Sequence, residues 1–323
     1  MYTVGIDLGG TNIAIGICDG ELNIIDKGSV PTLAEREPIE IIRDMVGLTK
    51  CLLERNSIAL DSVRGVGIAT PGSVDAEGET VEYANNIPFN NFPLAKIFKE
   101  LLPVPEVKLL NDANAATLGE ALAGAARGAR SAVMITLGTG VGGGVVFDGK
   151  LFTGHANSAG AELGHTVIAL GGRQCTCGRR GCFEAYASAT ALTALTREKM
   201  YELELFGIKT LMSEECGQDG RPNARTAFSA MKRGDKYAKE VVDEYIGYLA
   251  EGVTNMVNIF QPEVLIIGGG ICNERENLTR PLISLVDRLQ YTRDNKNKSR
   301  IVTATLGNDA GIIGAAGFIM QCK

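Results

Sequence analysis

His165, Cys175, Cys177 and Cys182 stand in the order H-x9-C-x-C-x4-C. One imidazole and three thiolates are the donor set of a closed tetrahedral zinc site, and such a site leaves no coordination position for an activated water. The spacing therefore predicts a structural zinc knuckle over residues 165–182. Gly171, Gly172, Gly178 and Gly181 let the backbone turn tightly enough for the four side chains to converge. A chance cluster of buried thiols is the competing reading, and the histidine that completes the set weighs against it. Two carboxylates flank the knuckle. Glu162 is three residues before His165, so the two share a face if that segment is helical, and Glu184 follows Cys182 by two. The knuckle would then fix three polar groups around one cleft, although solvated surface glutamates would fit the same pattern.

A second set of residues suits phosphate. The strand-like YTVGIDL runs into Gly9-Gly10-Thr11-Asn12, whose backbone N–H groups and Thr11 hydroxyl can cradle an anion, with Asp7 placed to hold magnesium through water. Alone, this turn could be a plain hairpin. It recurs, however. A gapless shift of 129 residues lays Leu137, Gly138, Asp148, Gly149 and Leu151 over Leu8, Gly9, Asp19, Gly20 and Leu22. The repeat predicts two related α/β domains, each offering a glycine turn to a ligand bound between them, and a nucleotide's phosphates fit that description. Gly138, Gly140 and Gly143 also satisfy G-x-G-x-x-G, but a strand follows where a dinucleotide-binding fold needs a helix. The sequence has no G-x-x-x-x-G-K-[ST].

The intervening elements must position these residues. Residues 38–56 have helical apolar spacing, and VRGVGIATPGSVD reads as a strand ending in the Thr70-Pro71-Gly72 turn. Asn85-Asn86 and Asn90-Asn91 lie in an irregular loop, either to cap turns or to bond ligand hydroxyls. Residues 107–110 form a short strand, and Asn111-Asp112 separates it from a helix over 113–128, with Asp112 as the expected N-cap. Strand ends of this kind are where open α/β sheets hold ligands. Residues 185–260 read as mostly helical. QPEVLIIGGGI is a buried strand emptying into Gly268-Gly269-Gly270, where a flat ring or a phosphate could approach the backbone, and LGNDAGIIGAAGFIMQ is a small-residue helix that packs back on the first domain. The expected division is 1–116 plus 306–323 as a small domain and 117–305 as a larger one holding the knuckle.

The 323 residues, 45% hydrophobic and 22% charged, suit two globular domains. A net charge of -6 argues against a nucleic-acid surface. The N-terminus has no leader pattern and no apolar run reaches bilayer length, so a cytoplasmic protein with reduced thiols and no membrane partner is expected. A homodimer or higher homo-oligomer is a common outcome for soluble chains of this kind and is expected here.

Together GIDLGGTN, TPG, LNDANAA, LGTGVGGG, GAELGH, CTCGRRGCFEAYAS, the GGG after a strand and AGIIGAA resemble the ROK family of sugar kinases and repressors. The resemblance spans the whole chain and implies a two-domain actin/hexokinase-like (ribonuclease H-like) α/β fold with the zinc knuckle in the larger domain. It implies ATP-dependent phosphorylation of a hexose at the 6-hydroxyl, with glucose as the expected substrate. Asp112 would be the general base, and Gly72, Asn86, Asn111, Asp112, Glu162, His165 and Glu184 would meet the sugar. Asp7, Gly9, Gly10, Thr11, Asn12, Gly138, Thr139, Gly140, Gly268 and Gly269 would meet ATP and its magnesium. Zinc would sit on His165, Cys175, Cys177 and Cys182. Two departures stand out: Asn12 replaces the lysine many members carry, and Asn86-Ile87-Pro88-Phe89 replaces a PGW-like loop, with Phe89 expected as an apolar wall. The family's repressors carry a helix-turn-helix ahead of the kinase-like part, whereas here the first strand is expected within a few residues of Met1. N-acetylmannosamine or fructose is the alternative substrate, and a sugar-binding regulator without turnover is the alternative of another class.

Overall fold

The computed structural model describes residues 1–84, 86–155 and 160–322. Its first sheet has the order β3-β2-β1-β4-β7, from β1 (Tyr2–Leu8), β2 (Asn12–Cys18), β3 (Ile24–Pro31), β4 (Val63–Thr70) and β7 (Val107–Asn111). The first three strands are antiparallel neighbours, while β4 and β7 run parallel to β1. Alternation sorts the faces. Val4, Ile6 and Leu8 are fully buried in a core shared with Ile41, Ile42 and Met45 of α1 (Pro38–Arg55) and Phe98 of α2 (Leu94–Leu101). The alternate residues Gly5 and Asp7 face α9 (Ala310–Gln321). A Cβ on Gly5 would lie 1.9 Å from the Ile312 carbonyl oxygen, so the glycine lets α9 lie backbone-close on the sheet. A short hairpin, β5 (Ser73–Val74) and β6 (Val81–Tyr83), follows β4.

The second sheet repeats the pattern as β10-β9-β8-β11-β12, from β8 (Ser131–Leu137), β9 (Val141–Phe147), β10 (Lys150–Leu151), β11 (Val264–Gly268) and β12 (Arg300–Thr303). The bounds of β8 and β9 are those of β1 and β2 displaced by 129, and β8 has the burial pattern of β1. The helices here are α4 (Glu184–Ala187), α5 (Ala189–Leu205), α6 (Thr226–Lys232), α7 (Lys236–Phe260) and α8 (Glu276–Leu289), which makes 185–260 largely helical, as the apolar spacing predicts.

The chain forms two compact units, Met1–Ala132 with Gly144–Ala161 and Thr305–Lys323, and Val133–Gly143 with Glu162–Ala304. The boundary expected at residue 116 falls inside α3 (Asp112–Leu122). That helix belongs whole to the first unit because it packs along α9 at backbone distance: a Cβ on Gly314 would lie 1.7 Å from the Ala115 carbonyl oxygen. Helix α3 also stops at Leu122, short of the expected 128. Beyond it the Glu120 carboxylate takes the Ala125 amide at 2.7 Å, and the chain turns. Among the described residues no helix is long and apolar enough to cross a membrane.

Candidate active site

In the first unit, β7 delivers Asn111 and α3 begins at Asp112. Asn111, in an extended conformation, is the N-cap: its Oδ1 accepts from the Ala113 and Asn114 amides at 2.9 and 3.2 Å. Asp112 was expected in that role but is already helical, which takes its carboxylate off the cap axis. The Asn111 Nδ2 donates to the Gly72 carbonyl at 3.0 Å, tying the turn after β4 to the same point. Gly72 has φ +86, and a Cβ there would meet the Tyr83 carbonyl at 1.9 Å. Asp112 Oδ1 lies 2.7 Å from the Ala113 amide, and the residue as a whole is exposed. Crowding by surrounding protein raises its pKa, partly opposed by the Ala113 amide.

Asp7, near the end of β1, is raised to about 6 by burial first and by the Asp112 charge second. The first turn of α9 abuts it, since a Cβ on Gly311 would lie 2.8 Å from its carboxyl. Two carboxylates that repel each other in partial burial fit a divalent cation held through water. In the adjoining turn the carbonyls are tied back: Thr32 Oγ1 donates to Gly9 O at 2.6 Å and the Thr32 amide to Thr11 O at 2.8 Å. Carbonyls held away from the turn's open side favour an anion at its amides. Asn86 lies against this turn, its Nδ2 2.9 Å from where a Gly10 Cβ would stand. Asn12 opens β2 and is exposed. Asn85 lies outside the described residues. Asn90 accepts from the Ala84 amide at 3.3 Å, a turn-capping contact. Phe89 does not form a wall. It is fully buried in the first unit's core and stacks on Phe92 with ring centroids 5.0 Å apart, because an apolar ring in a loop gains more from that core than from a hydrated cleft.

In the second unit the turn Gly138-Thr139-Gly140 repeats the device. Its carbonyls are taken by the start of α5, with the Ala189 amide on Gly138 O and Thr190 Oγ1 on Thr139 O, both at 2.8 Å. Glu184 links this turn to the knuckle: Oε2 accepts from the Val141 amide at 3.1 Å, and Oε1 accepts from Thr176 Oγ1 at 3.0 Å and lies 3.6 Å from Cys175 Sγ. Glu162 caps and His165 closes one 3-10 turn, Leu163–His165, with the His165 amide on Glu162 O at 3.1 Å. The ligand atoms of His165, Cys175, Cys177 and Cys182 lie within 4.8 Å of one another. Cys177 Sγ to Cys182 Sγ and Cys175 Sγ to His165 Nδ1 are both 3.7 Å. Tetrahedral zinc with Zn–S near 2.3 Å separates its sulfurs by about 3.8 Å, so the set fits that ion. Burial pushes the Cys182 thiol up to about 12, a cost that cation binding reverses. With Nδ1 turned to the cluster, the His165 Nε2 is on the far side of the ring. Beyond β11, Gly269 has φ +82 and a Cβ on Gly270 would meet open space.

Thr32, Thr176 and Thr190 were not legible as site residues. Thr176 and Thr190 act through one hydroxyl each and Thr32 through its hydroxyl and its amide, on partners distant in sequence or set by a turn, and only the position of Thr190 at the start of a helix after the knuckle offered a hint.

Two sheets of one strand order, each with a glycine turn, and a Cys3His knuckle define a protein of the actin-like α/β class. Within it, this chain belongs to the ROK family, whose model matches residues 3–321. It is 38% identical over 325 residues to a glucokinase of Thermotoga maritima, covering 99% of this chain and 98% of that protein. An N-acetylmannosamine kinase of Escherichia coli is 30% identical over 318 residues, 98% and 97% of the two chains. A crystal structure of a ROK family glucokinase from Streptomyces griseus in complex with glucose and AMPPNP superposes with a TM-score of 0.79 at 31% identity, covering 100% of both chains.

Proposed function

We propose that the protein is a sugar kinase that transfers the γ-phosphoryl group of ATP to the 6-hydroxyl of a hexose, glucose before others. The observation that carries this reading is the state of Asp112: Asn111 relieves it of capping, the residue is exposed at the start of α3, and the protein around it raises its pKa above the ordinary carboxylate value, as a proton acceptor requires. Asp112 takes the proton of the sugar 6-hydroxyl as that oxygen attacks, while Asn86, Asn111, Glu162, His165, Glu184 and the Gly72 turn hold the remaining hydroxyls. The turns at Gly9–Asn12 and Gly138–Gly140 oppose phosphate charge with backbone amides, and the backbone of Gly268 and Gly269, packed close on Met134 and Leu137, meets the nucleoside where the chain opens at Gly270. Magnesium, held by Asp7 through water, would neutralise charge on the transferring phosphoryl group. Zinc on His165, Cys175, Cys177 and Cys182 would supply a fixed mount for the His165 ring and Glu184. Glucose is supported by the glucokinase relative and by the ligand of the Streptomyces griseus structure. The same reading gives a cytoplasmic homodimer or higher homo-oligomer with no nucleic-acid or membrane partner.

The test is ADP release with magnesium and ATP across glucose, mannose, fructose, glucosamine, N-acetylglucosamine and N-acetylmannosamine, with Asp112→Asn protein as blank. Turnover led by glucose is expected. Preference for fructose or an N-acetylated sugar would keep the mechanism and change the substrate, and sugar binding without ADP formation would make the protein a regulator.

A further inference from the structure

Glu120 lies eight residues along α3 from Asp112, about 12 Å down the helix, and is fully buried. Its partners are all neutral. Oε1 accepts from the Thr305 and Leu306 amides at 2.8 and 2.7 Å, and Oε2 accepts from the Ala125 amide at 2.7 Å and Thr305 Oγ1 at 3.1 Å. Four donors satisfy both oxygens of a charge that would otherwise be costly to bury.

Those donors stand at particular places in the chain. Ala125 is in the turn by which the chain leaves α3 on its way to the second unit, and Thr305 is the residue at which it returns to the first for the last time. Five residues past Thr305 begins α9, whose Gly311 abuts the Asp7 carboxyl. One carboxylate thus fastens the helix that starts with Asp112 to the segment that launches the helix resting on Asp7.

We propose that Glu120 is a positioning residue for phosphoryl transfer: by pinning α3 to the entry of α9 it holds Asp112 in place relative to Asp7. This rests on the reading of Asp112 as the base. A displacement of about 1 Å in a reacting group costs on the order of 100-fold in rate, whereas sugar and nucleotide affinity is spread over many groups that Glu120 does not touch.

The experiment uses the full chain with Glu120→Ala and Glu120→Gln, comparing steady-state kinetics with residue-resolved amide exchange. Glu120→Ala is expected to lower kcat about 100-fold while the KM for hexose and for ATP each move less than about threefold, with faster exchange at Ala125, Thr305 and Leu306. Glutamine keeps an oxygen for Thr305 and Leu306 but turns its NH2 toward the Ala125 amide. Glu120→Gln is therefore expected to speed exchange at Ala125 alone and to recover most of the lost kcat. Wild-type kcat in Glu120→Ala alongside faster exchange would overturn the proposal, as would parallel loss of kcat and both affinities. Should the alanine variant fail to fold, the glutamine variant decides: a kcat as low as about 1% of wild type with undisturbed Thr305 and Leu306 amides would refute the role. Wild-type protein silent on every hexose would instead sink the base reading and this role with it.

Discussion

Removing the Asp7 charge should stabilise the protein while silencing it. The carboxyl stands at about 6 where the ordinary value is 3.8, owing to burial and then to Asp112. Between these values the folded chain binds more protons than the unfolded one, so stability falls as pH climbs through that window. The cost is absent below the ordinary value and full above about 6. At 1.36 kcal/mol per pH unit it approaches 3 kcal/mol, and water reaching the half-buried side chain brings it to ~1–3 kcal/mol. Asp7→Asn should therefore unfold ~1–3 kcal/mol later than wild type at about pH 8 without magnesium, and at the same free energy near pH 3.5. Urea melts across pH with EDTA measure this, and added magnesium should return much of the difference to wild type by binding where the charge is. A variant no more stable than wild type at high pH, or equally stabilised at low pH, would refute the electrostatic account of Asp7.

Asp112→Asn should cut turnover about 10²–10⁴-fold while calorimetry finds hexose affinity within a few-fold, and near-normal turnover would move the base elsewhere. Purified protein should carry about one zinc per chain by metal analysis, and Cys177→Ser should lose both the metal and most hexose affinity; retained affinity would separate the knuckle from the sugar. Gly314→Ala puts a methyl group 1.7 Å from the Ala115 carbonyl oxygen, so α3 and α9 must part. A loss of about 1–3 kcal/mol is expected, and an unchanged melting temperature would mean the helices are not in backbone contact.

What could be read from the sequence was what is local or periodic. The gapless repeat marks the bounds of β8 and β9 from those of β1 and β2, because both copies must return a strand across one tight glycine turn. The knuckle was legible because three thiolates and an imidazole within 18 residues have few other ways to be satisfied. What escaped was decided by distant partners. Helix α3 has the composition to continue past Leu122, yet Glu120 draws Ala125 back and simultaneously holds Thr305 and Leu306. Asn111 and Asp112 are comparable caps by residue type, and the choice falls to where β7 ends. The direction Phe89 faces depends on whether the core has room for its ring, which spacing does not encode.

The repeat is also unequal. Asp7 in the first copy corresponds to Thr136 in the second, and Thr11 to Gly140. Two identical turns would offer the same amides and the same charge to whatever each one meets. One copy therefore carries a carboxylate at the end of its first strand where the other carries a hydroxyl, so two turns of like backbone differ in the charge beside them.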